Sequence, residues 1–175
     1  KVSYMAVYRL FHELFNKKFG VNTEMVDMTD LDAVKRAVTP GTRLVHIETP
    51  DNPTNGVTDI AAVAKIAHEN NALLSVDNTF ASPLNQHPLE LGADFVVESL
   101  TKFVNGHGDA QGGAIVSNDL ETMDRIRYEA QVNVGAVISP FNAWQIFRGS
   151  VTFPLRMQRI NESTQKIAEW LERRK

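Results

Sequence analysis

Short apolar runs alternate with segments of helical periodicity over much of the chain. The runs "TRLVHIET", "ALLSVDNT", "ADFVVES" and "GGAIVS" are typical of strands, and the last three are nearly continuous in apolar residues, as in strands that are covered on both faces. Between them, "DIAAVAKIAHENN" places Ile60, Val63, Ala64 and Ala67 on one face of a helix. This alternation predicts an α/β fold with a mostly parallel sheet flanked by helices.

Three segments before the first of these strands also carry structural signals. "MAVYRLFHELFNKKFG" has helical spacing, and Gly20 stands where that helix would stop. "VNTEMVD" is a candidate for a short strand. "TDLDAVKRAV" predicts a helix capped by either Thr29 or Asp30, because a short polar side chain at this place accepts hydrogen bonds from the first free backbone amides.

Composition narrows the class of protein. The 175 residues are 43% hydrophobic and 22% charged, with a net charge of −3, which is typical of a soluble globular protein. No block of basic residues stands out, so nucleic acid is not an expected partner, and no apolar run is long enough to predict a membrane span. The absence of cysteine excludes disulfides and thiolate metal sites and is compatible with a reducing cytoplasm.

Polar loops follow three of the predicted strands. These loops are "PDNPTNG", "DNTFASP" and "SLTKFVNGHGD". In sheets of parallel strands, ligands bind outside the carboxyl ends of the strands, and all three loops begin there. The sequence therefore predicts a ligand site that these loops form together.

Asp77 and Lys102 are the candidate reactive residues of these loops. Asp77 is either a turn or cap residue, or a carboxylate that emerges at the end of a strand. Lys102 is either a solvated loop lysine or a nucleophile of the kind that forms a Schiff base with an aldehyde such as pyridoxal phosphate. That cofactor needs a carboxylate at its pyridine nitrogen and hydroxyl donors at its phosphate, which Asp77, Ser99 and Thr101 could supply.

Three further residues have two interpretations each. Asn52 is a turn former before a proline, or an amide donor to a ring oxygen. Tyr4 is a core aromatic, or a lid on a flat ring. His107 has no second ligand at metal spacing, so we expect a structural role for it and no metal site.

Taken together, these motifs resemble one enzyme family. "ETPDNPT", "VDNTFASP", "PLELGADFVVESLTKFVNGHGD" and "SPFNAWQIFRGSVTFPLRM" follow one another as in the pyridoxal-phosphate-dependent enzymes of sulfur amino-acid metabolism. These are the cystathionine γ-synthase, cystathionine γ-lyase and methionine γ-lyase group. The resemblance implies the large domain of the fold type I pyridoxal-phosphate transferases, pyridoxal 5'-phosphate as cofactor, a small sulfur amino acid as substrate, and a cytoplasmic homotetramer built as a dimer of dimers.

The resemblance also implies a role for each candidate residue. Lys102 corresponds to the Schiff-base lysine and Asp77 to the partner of the pyridine nitrogen. Ser99 and Thr101 correspond to phosphate contacts. Asn52 corresponds to the residue beside the ring oxygen of the cofactor. Tyr4 corresponds to the aromatic residue that stacks on the cofactor ring, and it is expected to be catalytic together with Lys102.

The pattern departs from the family in places that bear on the reaction. The usual "HSATK" is "ESLTK" here, with Glu98 before Ser99, and Ala6 stands where methionine γ-lyases often have a cysteine. The core constellation is unchanged, so the reaction stays open. The resemblance implies carbon–sulfur cleavage by γ- or β-elimination, and the alternative reaction is replacement, as in cystathionine γ-synthase or O-acylhomoserine sulfhydrylase. A truncated domain without catalytic activity is the alternative to an enzyme.

The resemblance also predicts the domain organisation. From Asn118 the pattern is helical almost to the end, with breaks at Pro140 and Pro154. Residues 1–150 correspond to the cofactor-binding domain, incomplete at its N-terminus, and residues 151–175 to a helix that leads towards a C-terminal domain. On this expectation the chain alone lacks the family's phosphate loop and substrate-carboxylate arginine, and would have negligible activity.

Overall fold

The computed structural model describes residues 4–174 and contains eight α-helices and four strands among them. The helices are α1 (Met5–Arg9), α2 (Lys17–Phe19), α3 (Leu31–Ala37), α4 (Ile60–Glu69), α5 (Ser82–Asn85), α6 (Leu120–Tyr128), α7 (Pro140–Ser150) and α8 (Phe153–Glu172). The strands are β1 (Leu44–Glu48), β2 (Leu73–Asp77), β3 (Phe95–Ser99) and β4 (Gly113–Val116). π-Helical stretches run over Leu10–Asn16 and Glu129–Asn133, and a 3₁₀ turn over Pro88–Leu91. None of the helices within residues 4–174 combines the length and apolar character needed to cross a membrane.

The four strands form one sheet in the order β1-β2-β3-β4. β2 runs parallel to β1 and to β3, and the register places Asp77 opposite Glu48 on one side and opposite Val97 on the other. The predicted α/β class with a mostly parallel sheet is therefore confirmed. Because β1 and β2 end in register, their last residues lie at the same edge of the sheet.

The chain divides into two compact units. The first contains the residues up to Glu98 together with Ile115–Arg125, and the second contains Ser99–Ala114 together with the residues from Ile126 onward. The first unit has the larger hydrophobic core, in which β2 is buried along most of its length and α4 packs through one face. That face is the predicted one: Ile60, Val63, Ala64 and Ala67 are all buried.

Helix ends follow the local chemistry of the sequence. Of the two predicted caps of α3, Asp30 is the one used, since its carboxylate accepts hydrogen bonds from the backbone amides of Asp32 and Ala33. Gly20 ends the first helical segment with φ of 68°, a conformation that glycine adopts without strain. Pro140 and Pro154 lie in the first turns of α7 and α8, where a missing N–H costs no helical hydrogen bond.

One predicted element is absent from the structure. "VNTEMVD" forms neither strand nor helix. Val26 and Met28 pack as partly buried side chains against the core of the first unit, whereas Val21 is exposed. Val26 and Met28 make a core contact here, but a strand also needs a hydrogen-bonded neighbour, and no described strand pairs with this segment.

Candidate active site

Glu48 and Asp77, the last residues of β1 and β2, face each other in the register of the sheet. The Glu48 carboxylate accepts one hydrogen bond from the backbone amide of Tyr4, at 2.9 Å, and another from that of Asn52, at 3.0 Å. Three residues that the sequence analysis selected, Tyr4, Asn52 and Asp77, are therefore brought together around one carboxylate in the first unit. Sequence reasoning missed Glu48 itself.

Glu48 holds this position at an electrostatic cost. Burial raises the pKa of its carboxyl group, and the negative charges of Asp77 and Asp51 act in the same direction, whereas the amides of Tyr4 and Asn52 oppose them. The hydrogen bonds from the two backbone amides satisfy lone pairs of the carboxylate and so offset part of the cost of burying it. The arrangement fixes the backbone at Tyr4 and Asn52 and leaves both side chains for other contacts, and the Tyr4 residue is 49% exposed.

Asp77 is both a turn residue and a candidate ligand. One of its carboxylate oxygens, Oδ1, accepts a hydrogen bond from the backbone amide of Thr79 at 3.0 Å. A carboxylate can accept several hydrogen bonds, so this contact orients the group without exhausting it. On the strand before it, His46 contacts the Ser75 hydroxyl through Nδ1 at 3.2 Å. Burial lowers the pKa of His46, and the charge of Asp77 opposes that effect.

A buried polar network lies directly after Asp77. Asn78 is 1% exposed, and its side-chain nitrogen donates to Glu98 Oε1 at 2.8 Å and to the backbone oxygen of Gln86 at 3.1 Å. The Gln86 amide in turn donates to Asn78 Oδ1 at 2.7 Å and to the backbone oxygen of Thr49 at 3.0 Å. Burial raises the pKa of Glu98; the Asp77 charge adds to this shift and the Asn78 bond opposes it. This network ties the segments that follow β1 and β2 to β3.

The second unit holds Lys102 in a turn that follows β3 directly. The turn covers residues 100–105, and Ser99 is the last residue of the strand. The Lys102 amide donates to the backbone oxygen of Ser99 at 3.1 Å, and the Gly106 amide donates to that of Lys102 at 2.7 Å. The side chain is exposed, and no hydrogen bond or ion pair joins its ammonium to any residue between 4 and 174. The backbone is thus fixed while the amine stays available.

Thr101 anchors the base of this turn. Its hydroxyl accepts a hydrogen bond from the Gly112 amide at 3.0 Å and donates to the Gly112 carbonyl at 3.2 Å. A Cβ on Gly112 would lie 2.6 Å from the Ile146 Cδ1 atom, so a larger residue here would require the end of that side chain to shift. For Thr101 to donate to a phosphate, its O–H has to turn away from the Gly112 carbonyl, while the bond from the Gly112 amide can remain.

The His107 side chain belongs to the same loop. Its Nδ1 donates to the backbone oxygen of Asn105 at 2.6 Å, since a carbonyl oxygen can only accept. Within the part of the chain that the structure describes, no group of histidine and acidic side chains is arranged to hold a metal ion. The geometry of His107 is that of a loop-stabilising residue.

Comparison with known proteins places this chain in a family. The profile of the family described as "Cys/Met metabolism PLP-dependent enzyme" matches residues 1–175. The chain belongs to this family.

Several proteins of known name are similar to this chain. It is 50% identical to canavanine gamma-lyase of Pseudomonas canavaninivorans over 98% of its own length and 42% of that protein. It is 44% identical to cystathionine gamma-synthase of Mycobacterium bovis over 97% of its length and 43% of that protein. The solved cystathionine gamma-lyase of Lactobacillus plantarum, complexed with L-serine, superimposes with a TM-score of 0.92 at 39% identity, over 97% of this chain and 44% of the other. The Cys/Met metabolism chain thus spans less than half the length of these relatives.

Proposed function

We propose that this chain binds pyridoxal 5'-phosphate through Lys102 and takes part in carbon–sulfur bond cleavage by γ- or β-elimination of a small amino acid. The observation that carries the proposal is the Lys102 amine, which has no partner among the described residues and stands on a turn whose backbone is held on both sides. A catalytic lysine needs this combination, because its amine has to reach an aldehyde from a defined position.

The chemistry of the donor set fits the cofactor. Its functional groups are an aldehyde, a pyridine nitrogen, a phenolate oxygen and a phosphate, and the proposed partners are, in that order, the amine of Lys102, the carboxylate of Asp77, the amide of Asn52, and the hydroxyls of Ser99 and Thr101. The exposed ring of Tyr4 would stack on the flat face. When bound, pyridoxal phosphate supplies an electron-withdrawing ring that stabilises negative charge at the α-carbon of the substrate.

Two residues of this chain would then control protons. Asp77, whose carboxylate is oriented by the Thr79 amide, would keep a proton on the ring nitrogen and so maintain its electron-withdrawing power. Lys102 would hold the cofactor covalently until the amine of the substrate takes its place. The released Lys102 amine would remove the α-proton as a general base and later return a proton to the departing group. Tyr4, above the ring, would limit the access of water.

The names of the relatives favour a second reaction of the same site. Cystathionine gamma-synthase is 44% identical to this chain, and canavanine gamma-lyase is 50% identical. A thiol that attacks after the leaving group has departed gives replacement, whereas its absence gives elimination. We therefore extend the proposed substrates to canavanine, in which γ-elimination would break a carbon–oxygen bond, and we keep γ-replacement as the second candidate. By resemblance to the family we also propose a cytoplasmic homotetramer, whose size sedimentation would measure.

Peptide mapping tests the central assignment. We would add pyridoxal phosphate to the protein expressed at its natural length, reduce with borohydride, and locate the labelled lysine by mass spectrometry. We expect the label on Lys102 and its loss in Lys102→Arg, with Lys65→Arg as the matched control, since Lys65 is an exposed lysine on α4 that pairs with Glu69 at 4.0 Å. A label on another lysine would contradict the proposal.

A panel of substrates separates the reactions. Release of ammonia and keto acid is measured from methionine, cystathionine, cysteine and canavanine. Formation of cystathionine is measured from an acylated homoserine with cysteine. Elimination predicts release from at least one member of the first set without an added thiol. Product only in the presence of a thiol would favour γ-replacement. No reaction with any substrate, in a protein that binds the cofactor, would favour a non-catalytic domain.

A further inference from the structure

Arg156, on the first turns of α8, uses all three nitrogens of its guanidinium group in hydrogen bonds within the second unit. Its acceptors are four backbone carbonyls and one hydroxyl. These are the oxygens of Phe103 at 2.7 Å, Val104 at 3.0 Å, Asn105 at 3.4 Å and Gly149 at 3.0 Å, and Thr152 Oγ1 at 3.1 Å. Three of the four carbonyls belong to consecutive residues that follow Lys102 directly.

The positions of these carbonyls explain why an arginine is needed. Residues 103–105 end the turn that carries Lys102, and the last carbonyls of a helical turn have no partner within it. Gly149 lies near the end of α7, where its carbonyl also accepts a long hydrogen bond from the Thr152 amide, at 3.4 Å, and where the helix dipole favours a positive charge. Within residues 4–174 no carboxylate pairs with Arg156, so its charge serves these two backbone ends. Only the fork of a guanidinium can reach them simultaneously.

The backbone packs tightly around this guanidinium. Gly106 has φ of 74°, and a Cβ built on it would lie 2.0 Å from the Arg156 Nη1 atom. A Cβ on Gly149 would lie 2.3 Å from the backbone oxygen of Asn105. The two glycines therefore allow the turn, α7 and Arg156 to approach to hydrogen-bonding distance, and the guanidinium has little room to move.

We propose that Arg156 is a positioning residue for Lys102. By holding the carbonyls of residues 103–105, it fixes the carboxyl half of the turn, while the amide of Lys102 and the hydroxyl of Thr101 fix the amino half. Arg156 acts on the backbone and makes no hydrogen bond with the Lys102 amine. The inference rests on the proposed function of Lys102, because it concerns how that amine is aimed.

The first experiment measures how fast Lys102 captures pyridoxal phosphate. The amine nitrogen bonds to the aldehyde carbon, one water leaves, and borohydride reduces the resulting double bond, so that the mass of the Lys102 peptide reports capture. We expect Arg156→Met to capture about tenfold to a hundredfold more slowly than the wild type, since misplacement of a reacting group by about 1 Å costs up to about 10²-fold. Arg156→Lys should fall between them, because one ammonium cannot span both backbone ends.

Arg159→Met is the matched control for the loss of a charge from the same helix. Arg159 is exposed and pairs with Glu162 at 3.7 Å, so capture should proceed at the wild-type rate. Hydrogen exchange of the amides of residues 103–106 gives a second readout, and it should accelerate in the Arg156 variants only. Should Arg156→Met fail to fold, Arg156→Lys carries the test: capture by a folded Arg156→Lys variant at the wild-type rate would overturn the inference.

A second pair of variants isolates the guanidinium from backbone strain. Gly106 and Gly108 have φ of 74° and 70°, so alanine strains both positions alike. Only at Gly106 would the new Cβ collide with Arg156, since nothing lies within 4 Å of a Cβ on Gly108. We expect Gly106→Ala to slow capture at least tenfold more than Gly108→Ala. Equal effects would overturn the inference.

The outcomes distinguish the inference from the function on which it rests. If wild-type Lys102 is never labelled, the proposed function fails and the positioning role fails with it. If wild-type Lys102 is labelled and Arg156→Met is labelled at the same rate, the function stands and the positioning role is wrong. Slower labelling in Arg156→Met and Arg156→Lys, with unchanged labelling in Arg159→Met, supports both.

Discussion

Replacing Glu48 with glutamine should weaken cofactor binding although residue 48 would not itself react. In the wild type, the two carboxylate oxygens of Glu48 accept hydrogen bonds from the amides of Tyr4 and Asn52 at 2.9 and 3.0 Å. Glutamine has nearly the same shape, but one of its two terminal groups is an NH₂ donor. In Glu48→Gln one of the backbone amides therefore faces another donor and loses its partner.

The magnitude follows from the geometry of these two bonds. A hydrogen bond to a charged group contributes about 1.5–3 kcal/mol, and the variant loses one such bond while the other becomes neutral. Part of the loss is offset, because the variant no longer buries a negative charge beside Asp77. We expect the hydrogen bonds that hold Tyr4 and Asn52 in place to lose about 1–2 kcal/mol of free energy in total. Since we propose that both residues contact the cofactor, this loss corresponds to a rise of about 5- to 30-fold in the dissociation constant of pyridoxal phosphate.

The assay is a titration with pyridoxal phosphate followed by visible absorbance, with thermal unfolding of the same samples. Glu69→Gln is the matched control, since Glu69 lies on the exposed side of α4 in the same unit, 4.0 Å from Lys65. Exposed ion pairs contribute about 0–1 kcal/mol, and this one does not contact Tyr4 or Asn52. A dissociation constant for Glu48→Gln within about twofold of the control would show that Glu48 does not organise the site.

Three further predictions concern the first unit. Asp77→Ala should reduce turnover far more than cofactor retention, measured as absorbance after gel filtration; near-normal turnover with bound cofactor would give Asp77 another role. Leu74→Ala should lower the free energy of unfolding by about 2–5 kcal/mol, since Leu74 is fully buried. Leu73→Ala, at an exposed neighbour, should change it by about 0.5 kcal/mol or less. Burial holds the pKa of Glu98 above its ordinary 4.5, so native Glu98 keeps a proton that the unfolded chain loses, and stability falls as the pH rises through that window. Glu98→Gln removes this loss, and its melting temperature should gain on the wild type as the pH rises above 4.5; parallel curves would contradict this account.

Features that depend on neighbours in the sequence were predictable. The apolar runs identified the four strands, but the expected burial on both faces holds only for β2, since Ile115 and Val116 of β4 are exposed. The buried face of α4 followed from its spacing, and the cap of α3 followed from the preference of aspartate for free amides. The place of Asp77 at the end of β2 and of Lys102 just after β3 also followed from local pattern.

Features that depend on distant contacts were not predictable. Glu48 binds the amide of Tyr4 across 44 positions of sequence, and it faces Asp77 only because β1 and β2 pair in one register. A slip of one residue would turn Glu48 to the other face of the sheet, and nothing in either strand sequence alone fixes that register. Arg156 reaches Phe103 across 53 positions. The wrong prediction of a strand at "VNTEMVD" has the same cause, since strand pairing is also a long-range property.

The two missed residues obey one electrostatic rule. Glu48 is an anion that gathers backbone N–H groups, and Arg156 is a cation that gathers backbone C=O groups. Backbone N–H groups bind anions most strongly, and backbone C=O groups bind cations most strongly. The backbone that Glu48 binds belongs to Tyr4 and Asn52, and the backbone that Arg156 binds follows Lys102; these are residues for which we propose direct contact with the cofactor. Neither side chain needs to gain or lose a proton during the reaction. Variants of Arg156 should therefore lower the rate or the affinity without moving the pH at which the activity is half-maximal. Variants of Asp77 and Lys102, for which we propose proton handling, should move or abolish it.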